Sequence, residues 1–289
     1  MIIVQLTGGL GNQLFQYAMG RALAIENSVP LKLDRSFFEG YDWHAYSLAP
    51  FAVQENFASP EECRWFKQKQ HSWLNRLLRK TIKKGHYIVY EKNLLFDATY
   101  KTVASPAYLV GYWQCQEYFL KHRAILQKEF QIKIQPSAAN ATFLSHIQSV
   151  NAVSLHIRRG NFVSVSEVNK IHGTCSLQYY RAAVDYLKER VGHPVFFVFS
   201  DDLDWARENL KGSESYVFVD VNDAAHDYED LRLMSHCRHH IIANSTFSWW
   251  AAWLNPSASK IIVAPKQWFA DEEKNRTAKD IIPGNWNSL

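Results

Sequence analysis

The sequence predicts an α/β protein made of two Rossmann-like domains that face each other across a cleft. The chain opens as strand, glycine turn, helix and strand, which is the start of a βαβ unit. From about residue 152 a second series of strands alternates with helices, and residues 135–140 (QPSAAN) between the two series have the composition of a linker. We therefore place the domains at residues 1–140 and 141–289, with the final segment as a candidate to pack back on the N-terminal domain.

The elements of the first half follow from the apolar pattern. Residues 2–6 are a β-branched run typical of a buried strand, and residues 12–24 carry apolar side chains at helical spacing. The predicted strands are 2–6, 29–34, 86–90 and 107–113, and the predicted helices are 12–24, 72–84 and about 117–130.

The second half has a regular alternation of short apolar runs and longer amphipathic segments, which predicts a second parallel sheet with its own core. The predicted strands are 152–157, 194–200, 216–219, 240–243 and 260–264, and the predicted helices are 177–190, 203–210, 227–236 and 246–254.

Composition excludes several classes of protein. The net charge of +4 without a polybasic block gives no indication of nucleic-acid binding, and no run reaches the ~18 apolar residues of a membrane span. The first residues show neither a basic n-region nor a cleavage site and the four cysteines lie far apart, so we expect no signal peptide and a cytoplasmic protein with reduced thiols. The basic amphipathic segment 72–84 fits a solvated surface helix, and peripheral contact with the inner membrane stays open beside it.

A glycine turn, Gly8-Gly9-Leu10-Gly11, follows the first strand and opens the first helix. With Asp34 at the end of the next strand, this pattern is compatible with dinucleotide binding. Leu14 stands at the third glycine position of that fingerprint, however, and no P-loop lysine follows. The amides of Asn12 and Gln13 are the stronger indication, because they lie beside helix-start N–H groups that have no helical acceptor.

A predicted strand ends in His156-Ile157-Arg158-Arg159-Gly160. The carboxyl ends of parallel strands are where α/β sheets bind ligands, and the planar arginine side chain matches phosphate oxygens two at a time. No acid stands near the two arginines in the sequence. We predict an anion site here, over the alternative of a surface pair that exchanges salt bridges.

A second candidate phosphate site is the segment Asn244-Ser245-Thr246, which lies between a strand and a helix. Free N–H groups and hydroxyls at a helix N-terminus bind phosphate, although the same residues are also common N-caps. Upstream, the carboxylate of Asp230 could accept hydrogen bonds from guanine N1–H and its amino group, or simply cap a helix.

Two patterns suggest metal binding, and both have a simpler interpretation. Ser200 and the acids of Ser-Asp-Asp-Leu-Asp, residues 200–204, suit a helix N-terminus, where acids complement the helix dipole. The histidines of residues 236–240 alternate between faces and lack a second ligand pair at zinc spacing. We expect no metal site.

Five segments taken together resemble the bacterial α-1,2-fucosyltransferases of glycosyltransferase family 11. They occur in family order over nearly the whole chain, which makes the match specific. The segments are GGLGNQLFQYA at 8–18, GYWQ at 111–114, HIRRG at 156–160, FSDD at 199–202 and NSTFSWW at 244–250.

The resemblance implies a GT-B type fold and transfer of fucose from GDP-β-L-fucose to the 2-hydroxyl of a terminal galactose, with inversion. It implies no metal and no cofactor, since the donor is a co-substrate. The N-terminal domain would bind the glycan acceptor and the C-terminal domain the donor, with Arg158 on the diphosphate and Asn12 reaching over from the acceptor side. These two are the predicted catalytic residues.

The remaining site predictions rest on the same resemblance. The predicted donor-binding residues are His156, Arg158, Arg159, Asp230, Asn244, Ser245, Thr246 and Ser248. The predicted acceptor-side residues are Asn12, Gln13 and Trp113. Asn161 departs from the family, which commonly has Asp after Arg-Arg-Gly, so a catalytic base at that position is in doubt.

Two other functions stay open at this point. One is an NAD-type oxidoreductase that uses the glycine turn and Asp34. Leu14 and the arginine pair count against this interpretation. The other is a nonenzymatic sugar-binding protein that uses the ten Trp residues, although a lectin needs no phosphate site.

Overall fold

A computed structural model describes residues 1–40, 43–71, 88–160, 163, 165–212 and 214–289. Over these ranges the chain divides into two compact units, Met1–Lys133 and Ile134–Leu289. The division falls upstream of the boundary predicted at residue 140. Ser137 explains the difference, because its hydroxyl accepts the N–H of Asn140 and starts a helix at Ala138, inside the expected linker.

The first unit is built on a four-stranded parallel sheet in the order β2-β1-β4-β3. The helix predicted at 117–130 is split, because short 3-10 turns precede its α-helical part. The predicted helix at 72–84 lies outside the described residues, and the strand predicted at 86–90 is described from Ile88 onward. The elements are β1 (Ile2–Gln5), α1 (Leu10–Glu26), β2 (Leu31–Asp34), α2 (Pro60–His71), β3 (Ile88–Tyr90), β4 (Ala107–Val110) and α3 (Arg123–Glu129).

Helix α1 packs closely on the sheet through a glycine. A Cβ atom at Gly20 would lie 2.8 Å from Leu31 and 3.0 Å from Val4, so only glycine allows this separation between helix and strands. Leu14, which stands at the third glycine position of the dinucleotide fingerprint, is fully buried six residues earlier. The close approach is therefore made at Gly20 and not at the third glycine position of a dinucleotide fingerprint.

The second unit is built on a six-stranded parallel sheet in the order β10-β9-β8-β5-β6-β7. The end of the chain joins this sheet as β10 and pairs with β9. The elements are α4 (Ala138–Ser149), β5 (Asn151–Ile157), α5 (Ser166–His172), α6 (Leu177–Lys188), β6 (Pro194–Ser200), α7 (Leu203–Asn209), β7 (Ser215–Phe218), α8 (Asp227–His236), β8 (His239–Ile241), α9 (Thr246–Leu254), β9 (Ile262–Ala264), α10 (Glu272–Thr277) and β10 (Asn287–Ser288).

The core of the second unit forms between its sheet and the flanking helices. Strand β5 is buried from Ala152 to Ile157, as expected of a central strand with both faces covered. Helix α6 contributes the apolar side chains of Tyr180, Val184 and Leu187, which recur at helical spacing and pack on that strand. None of the helices in the described ranges has both the length and the apolar character that crossing a membrane requires.

Candidate active site

At the carboxyl edge of the first sheet, the turn after β1 supports the side chain of Asn12. Gly8 has φ +71°, and a Cβ there would lie 2.6 Å from Asn12 Nδ2. Glycine is therefore required both by the backbone and by the close amide. The side-chain N–H of Gln114, which follows β4, donates to Asn12 Oδ1 at 2.9 Å. The predicted residue Asn12 is thus held at this edge by two different loops.

Two glutamines of α1 are structural anchors. Gln13 donates to the carbonyl of Ala45 at 2.8 Å and accepts the N–H of Ser47 at 2.8 Å, while Gln16 donates to the carbonyl of Gly111 at 3.1 Å. Both side chains are 0% exposed. The predicted contact of Gln13 with an acceptor is corrected, because its amide is fully buried and already hydrogen-bonded to the chain.

Trp113 is also buried and does not line a surface. It has φ +57° and 0% exposure, and its ring packs edge-on against Tyr100 and Tyr118. Glu91, which follows β3, accepts the backbone N–H groups of Tyr112 at 2.6 Å and Trp113 at 3.0 Å. Burial raises the pKa of this carboxyl group. The predicted acceptor contact of Trp113 is therefore corrected to a core position that fixes the loop after β4.

Asp34 does not serve as a ribose-binding acid. Its carboxylate is 3% exposed and accepts hydrogen bonds from the Tyr108 hydroxyl and from the N–H of Ser36. Buried contacts within the protein thus occupy the group on which the dinucleotide interpretation depended.

At the carboxyl edge of the second sheet, two arginines meet two aspartates. Arg158 Nη1 lies 2.6 Å from Asp201 Oδ2, and Arg159 Nε lies 3.0 Å from Asp202 Oδ2. The expectation that no acid accompanies the arginines is wrong. The parallel register places Ile157 beside Ser200, so the residues that follow each strand become neighbours.

The two arginines have different surroundings. Arg159 stacks on the ring of Trp205 at 4.2 Å, and its side chain is 19% exposed. The side chain of Arg158 is 29% exposed. Asp202 also caps α7 by accepting the N–H of Trp205, in place of the cap predicted at Ser200. Both Asp202 oxygens are therefore engaged within the protein, which leaves Arg158 as the more accessible cation at this edge.

His156 lies beneath this edge as a neutral imidazole. It is 6% exposed, and burial lowers its pKa to about 4. Its ring packs against Phe247 in the first turn of α9, with the centroids 5.7 Å apart. Over the described part of the chain, Nδ1 of His156 has no hydrogen-bond partner. Among the described residues, Trp113 Nε1 and Tyr180 Oη are buried without a hydrogen-bond partner in the same way, so this feature alone does not indicate a ligand.

The N-terminus of α9 carries the other predicted phosphate residues. Ser245 is the N-cap residue, and its side chain makes no capping hydrogen bond, so this helix start is a candidate site for an anion. Ser248 is fully buried and donates to the carbonyl of Ser245 at 3.3 Å, and Thr246 is half-buried. Asn244 donates to the carbonyl of His172 at 3.0 Å, so its amide supports the turn from inside.

Asp230 lies in the first turn of α8 and is half-buried. Asn222 Nδ2 donates to Asp230 Oδ1 at 2.7 Å. Burial raises the pKa of Asp230 to about 6, although this hydrogen bond opposes the effect. The carboxyl group is therefore largely ionised at neutral pH, as an acceptor for N–H donors must be.

Several residues at these edges escaped the sequence analysis. Asp201 and Gln114 were quoted only as members of longer segments without a role of their own, and Glu91 and Asn222 were not singled out. A usable signal existed, since Glu91 and Asp201 each come directly after a buried strand. Asn161 lies outside the described residues. Among the residues that are described, no group of three or more His, Cys, Asp or Glu side chains could hold a metal ion.

The fold of the chain, with a parallel sheet and flanking helices in each unit, matches solved structures of known enzymes. A solved structure of NodZ α-1,6-fucosyltransferase soaked with GDP-fucose matches 95% of this chain and 96% of its own, with a TM-score of 0.51 at 15% identity. Arabidopsis thaliana FUT1 in complex with GDP matches 90% of this chain and 69% of its own, with a TM-score of 0.52 at 13% identity. The fold is therefore GT-B, a glycosyltransferase fold.

Sequence comparison gives the family. The family model described as glycosyl transferase family 11 matches residues 1–289, and the chain belongs to this family. An Escherichia coli α-1,2-colitosyltransferase is 36% identical over 99% of this chain and 98% of its own length. The E. coli O-antigen biosynthesis glycosyltransferase WbnK is 32% identical over 95% of this chain and 97% of its own. Galactoside α-(1,2)-fucosyltransferase 1 of Lagothrix lagotricha is 26% identical over 86% of this chain and 63% of its own length.

Proposed function

We propose that the chain transfers L-fucose from GDP-β-L-fucose to the 2-hydroxyl of a terminal β-galactoside, with inversion and without a metal ion or cofactor. The product carries an α-1,2 linkage. Support for this linkage comes from the relatives, because the colitosyltransferase and the primate fucosyltransferase are both named as α-1,2 enzymes. The proposal goes beyond the linkage in specifying GDP-β-L-fucose as the donor and a β-galactoside as the acceptor.

One observation carries the donor site. Arg158 directly follows the central strand β5, and His156 of the same strand packs its ring against Phe247 in the first turn of α9. An arginine and helix N-terminal N–H groups suit the phosphate oxygens of a diphosphate. Asp230 supplies a carboxylate that can accept hydrogen bonds from the guanine base.

The same groups account for the chemistry. The fucose–phosphate bond breaks with oxocarbenium character, and negative charge develops on the departing GDP. Fixed positive charge from Arg158 and from the α9 N–H groups stabilises that charge without reorganisation. Asn12, held by Gly8 and Gln114, is the proposed polar group on the acceptor side. A leaving group stabilised in this way requires only weak base assistance to the acceptor hydroxyl.

Colitose is the second candidate for the transferred sugar. It is favoured by one observation, the 36% identity to an α-1,2-colitosyltransferase over 99% of the chain. A side-by-side assay of the fucose and colitose donors on one galactoside distinguishes the two, by the ratio of their kcat/KM values.

We expect GDP to raise the melting temperature of the protein in the presence of EDTA. Arginine and helix N–H groups hold the diphosphate in this proposal, so no divalent ion is needed. At ~100 times its Kd, GDP adds about 2.7 kcal/mol of apparent stability. Differential scanning fluorimetry with GDP, NAD and free L-fucose measures this effect. Binding and turnover that both require Mn²⁺ or Mg²⁺ would contradict the proposal and restore Asp202 and Asp204 as candidate ligands.

A substitution at Asn161 tests whether the reaction requires a catalytic base at this position. We expect Asn161→Asp to change kcat by less than ~10-fold, equivalent to ~1.4 kcal/mol, because leaving-group departure carries most of the barrier. We also expect no new acidic limb in the pH profile of kcat. A gain of several hundred-fold, with a limb near an ordinary carboxylate pKa, would show that a base at this position is essential in this reaction.

A further inference from the structure

Three polar side chains of the second unit are hydrogen-bonded in a row. Asn140 of α4 and Asn222 of the loop before α8 form a reciprocal amide pair, with N–O distances of 2.7 Å and 3.0 Å. Asn222 Nδ2 also donates to Asp230 Oδ1 at 2.7 Å. Asn140 is 2% exposed, so the amide pair (Asn140 and Asn222) is anchored in the interior.

The amide pair determines which way each group points. Because each amide of Asn140 and Asn222 gives one N–H to the other's oxygen, neither can flip without losing hydrogen bonds. The second N–H of Asn222 is then directed at Asp230, and both of its amide hydrogens are used. Oδ1 of Asp230 thus has a donor, while Oδ2 accepts no hydrogen bond from the described residues. Because Asp230 is only half-buried, this second oxygen remains accessible to the N–H donors of a ligand.

We propose that the amide pair is a positioning device for Asp230, which orients its carboxylate to accept the adjacent N1–H and amino N–H of guanine and thereby selects a guanine nucleotide. The inference rests on the proposed GDP-sugar donor and holds for fucose and colitose alike. Guanine presents two neighbouring donors on one edge, which match the two oxygens of a carboxylate. Adenine presents an acceptor, N1, beside its amino group, and a carboxylate repels that acceptor.

Recognition by a carboxylate makes guanine binding depend on pH. The charged groups around Asp230 are Asp227 and the Glu229–Arg232 pair on α8, and the Asp223–His226 pair in the turn before it. Burial raises the pKa of Asp227 to about 6 as well.

Helix α4 adds His146 and the neutral Asn140 to these surroundings, and α9 has no titratable side chain. Asp230 must be ionised to accept, so GDP affinity falls as the pH drops through about 6, the pKa of this group. The hydrogen bond from Asn222 lowers the pKa of Asp230, and its removal therefore moves the midpoint to higher pH.

The test is binding of GDP, ADP and UDP to the full chain by isothermal titration calorimetry between pH 5 and 8. We expect the unchanged protein to prefer GDP. Asn222→Ala should weaken GDP binding by about 10-fold, the effect of one hydrogen bond to a charged group, and leave ADP binding unchanged. Its pH midpoint should move upward, and kcat at saturating donor should stay near that of the unchanged protein. Asn140 contacts no ligand in this proposal. Asn140→Ala should therefore weaken GDP binding and raise the pH midpoint as Asn222→Ala does, but by smaller amounts.

Asn209→Ala is the matched control. Asn209 donates to the carbonyl of Trp205 at 2.9 Å in α7 of the same unit, and its removal should change neither the base preference nor the midpoint. If the unchanged protein prefers GDP while both Asn variants keep its GDP-to-ADP ratio and pH midpoint, the amide pair has no role in base selection and the proposed function stands. If the unchanged protein shows no preference for GDP, the proposed donor is wrong and the inference with it.

Discussion

Arg158→Ala should lower kcat by ~100-fold or more. Loss of a single electrostatic donor to a developing negative charge costs ~3 kcal/mol of transition-state stabilisation, and Arg158 is the more accessible of the two strand-end arginines. Arg158→Lys should restore little activity, because a point charge does not reproduce the two-pronged contact with phosphate. Initial rates with saturating donor and acceptor measure the effect.

Two further variants make this experiment decisive. Arg207→Ala removes an arginine that pairs with Asp220 at 2.8 Å in the same unit, and it should leave kcat unchanged. The double variant Arg158→Ala/Asp201→Ala also removes the carboxylate that loses its ion pair in the single variant and keeps the backbone N–H of Arg159. It therefore separates loss of the arginine from repulsion by Asp201. A folded Arg158→Ala enzyme with near-normal kcat would mean that the leaving group is stabilised elsewhere.

Trp249→Ala should destabilise the second unit by ~3–5 kcal/mol. Trp249 is 0% exposed, packs on Trp250 at 5.0 Å and Trp253 at 6.2 Å between ring centroids, and donates its indole N–H to the carbonyl of Ile281. We expect the calorimetric melting temperature of this unit to fall by roughly 6–20 °C. Affinity for GDP should fall too, because these rings hold α9 and its N-terminus in place.

Trp43→Ala provides the comparison for this variant. The same exchange at a side chain that is 56% exposed should change the stability of the first unit by less than about 0.5 kcal/mol. A melting temperature for Trp249→Ala equal to that of Trp43→Ala would show that the tryptophan cluster adds nothing to the second unit.

The elements of the second unit were predictable because its sequence alternates between short apolar runs, typical of buried strands, and longer segments with apolar residues at helical spacing. Helices α8 and α9 have the bounds predicted from the sequence, 227–236 and 246–254. Strand β6 likewise spans 194–200 as expected. In each case a short apolar run or an amphipathic segment ends at a polar turn, and this information is local.

The partners within the candidate site were not predictable in the same way. Arg158 and Asp201 meet because β5 and β6 pair in a particular register, and no pattern within either strand encodes that register. Asn140 was assigned to a linker, and its pairing with Asn222 depends on the packing of α4 beside α8. Gln13 and Trp113 were expected on the acceptor side, yet both are buried, because Gln13 donates to the carbonyl of Ala45 and Trp113 packs on rings from other segments. Sequence does not show such contacts between separate segments.

The arginine–aspartate quartet at the edge of the second sheet has a consequence for encounter with an anion. Arg158, Arg159, Asp201 and Asp202 carry two positive and two negative charges, so their sum is zero. A neutral quartet projects little field beyond one Debye length, about 8 Å at physiological ionic strength. These four residues therefore do not steer a phosphorylated ligand from a distance. Added salt should have little effect on the contribution that they make to the association rate of such a ligand. Their positive charge acts only at short range, once the ligand is close enough to displace a carboxylate.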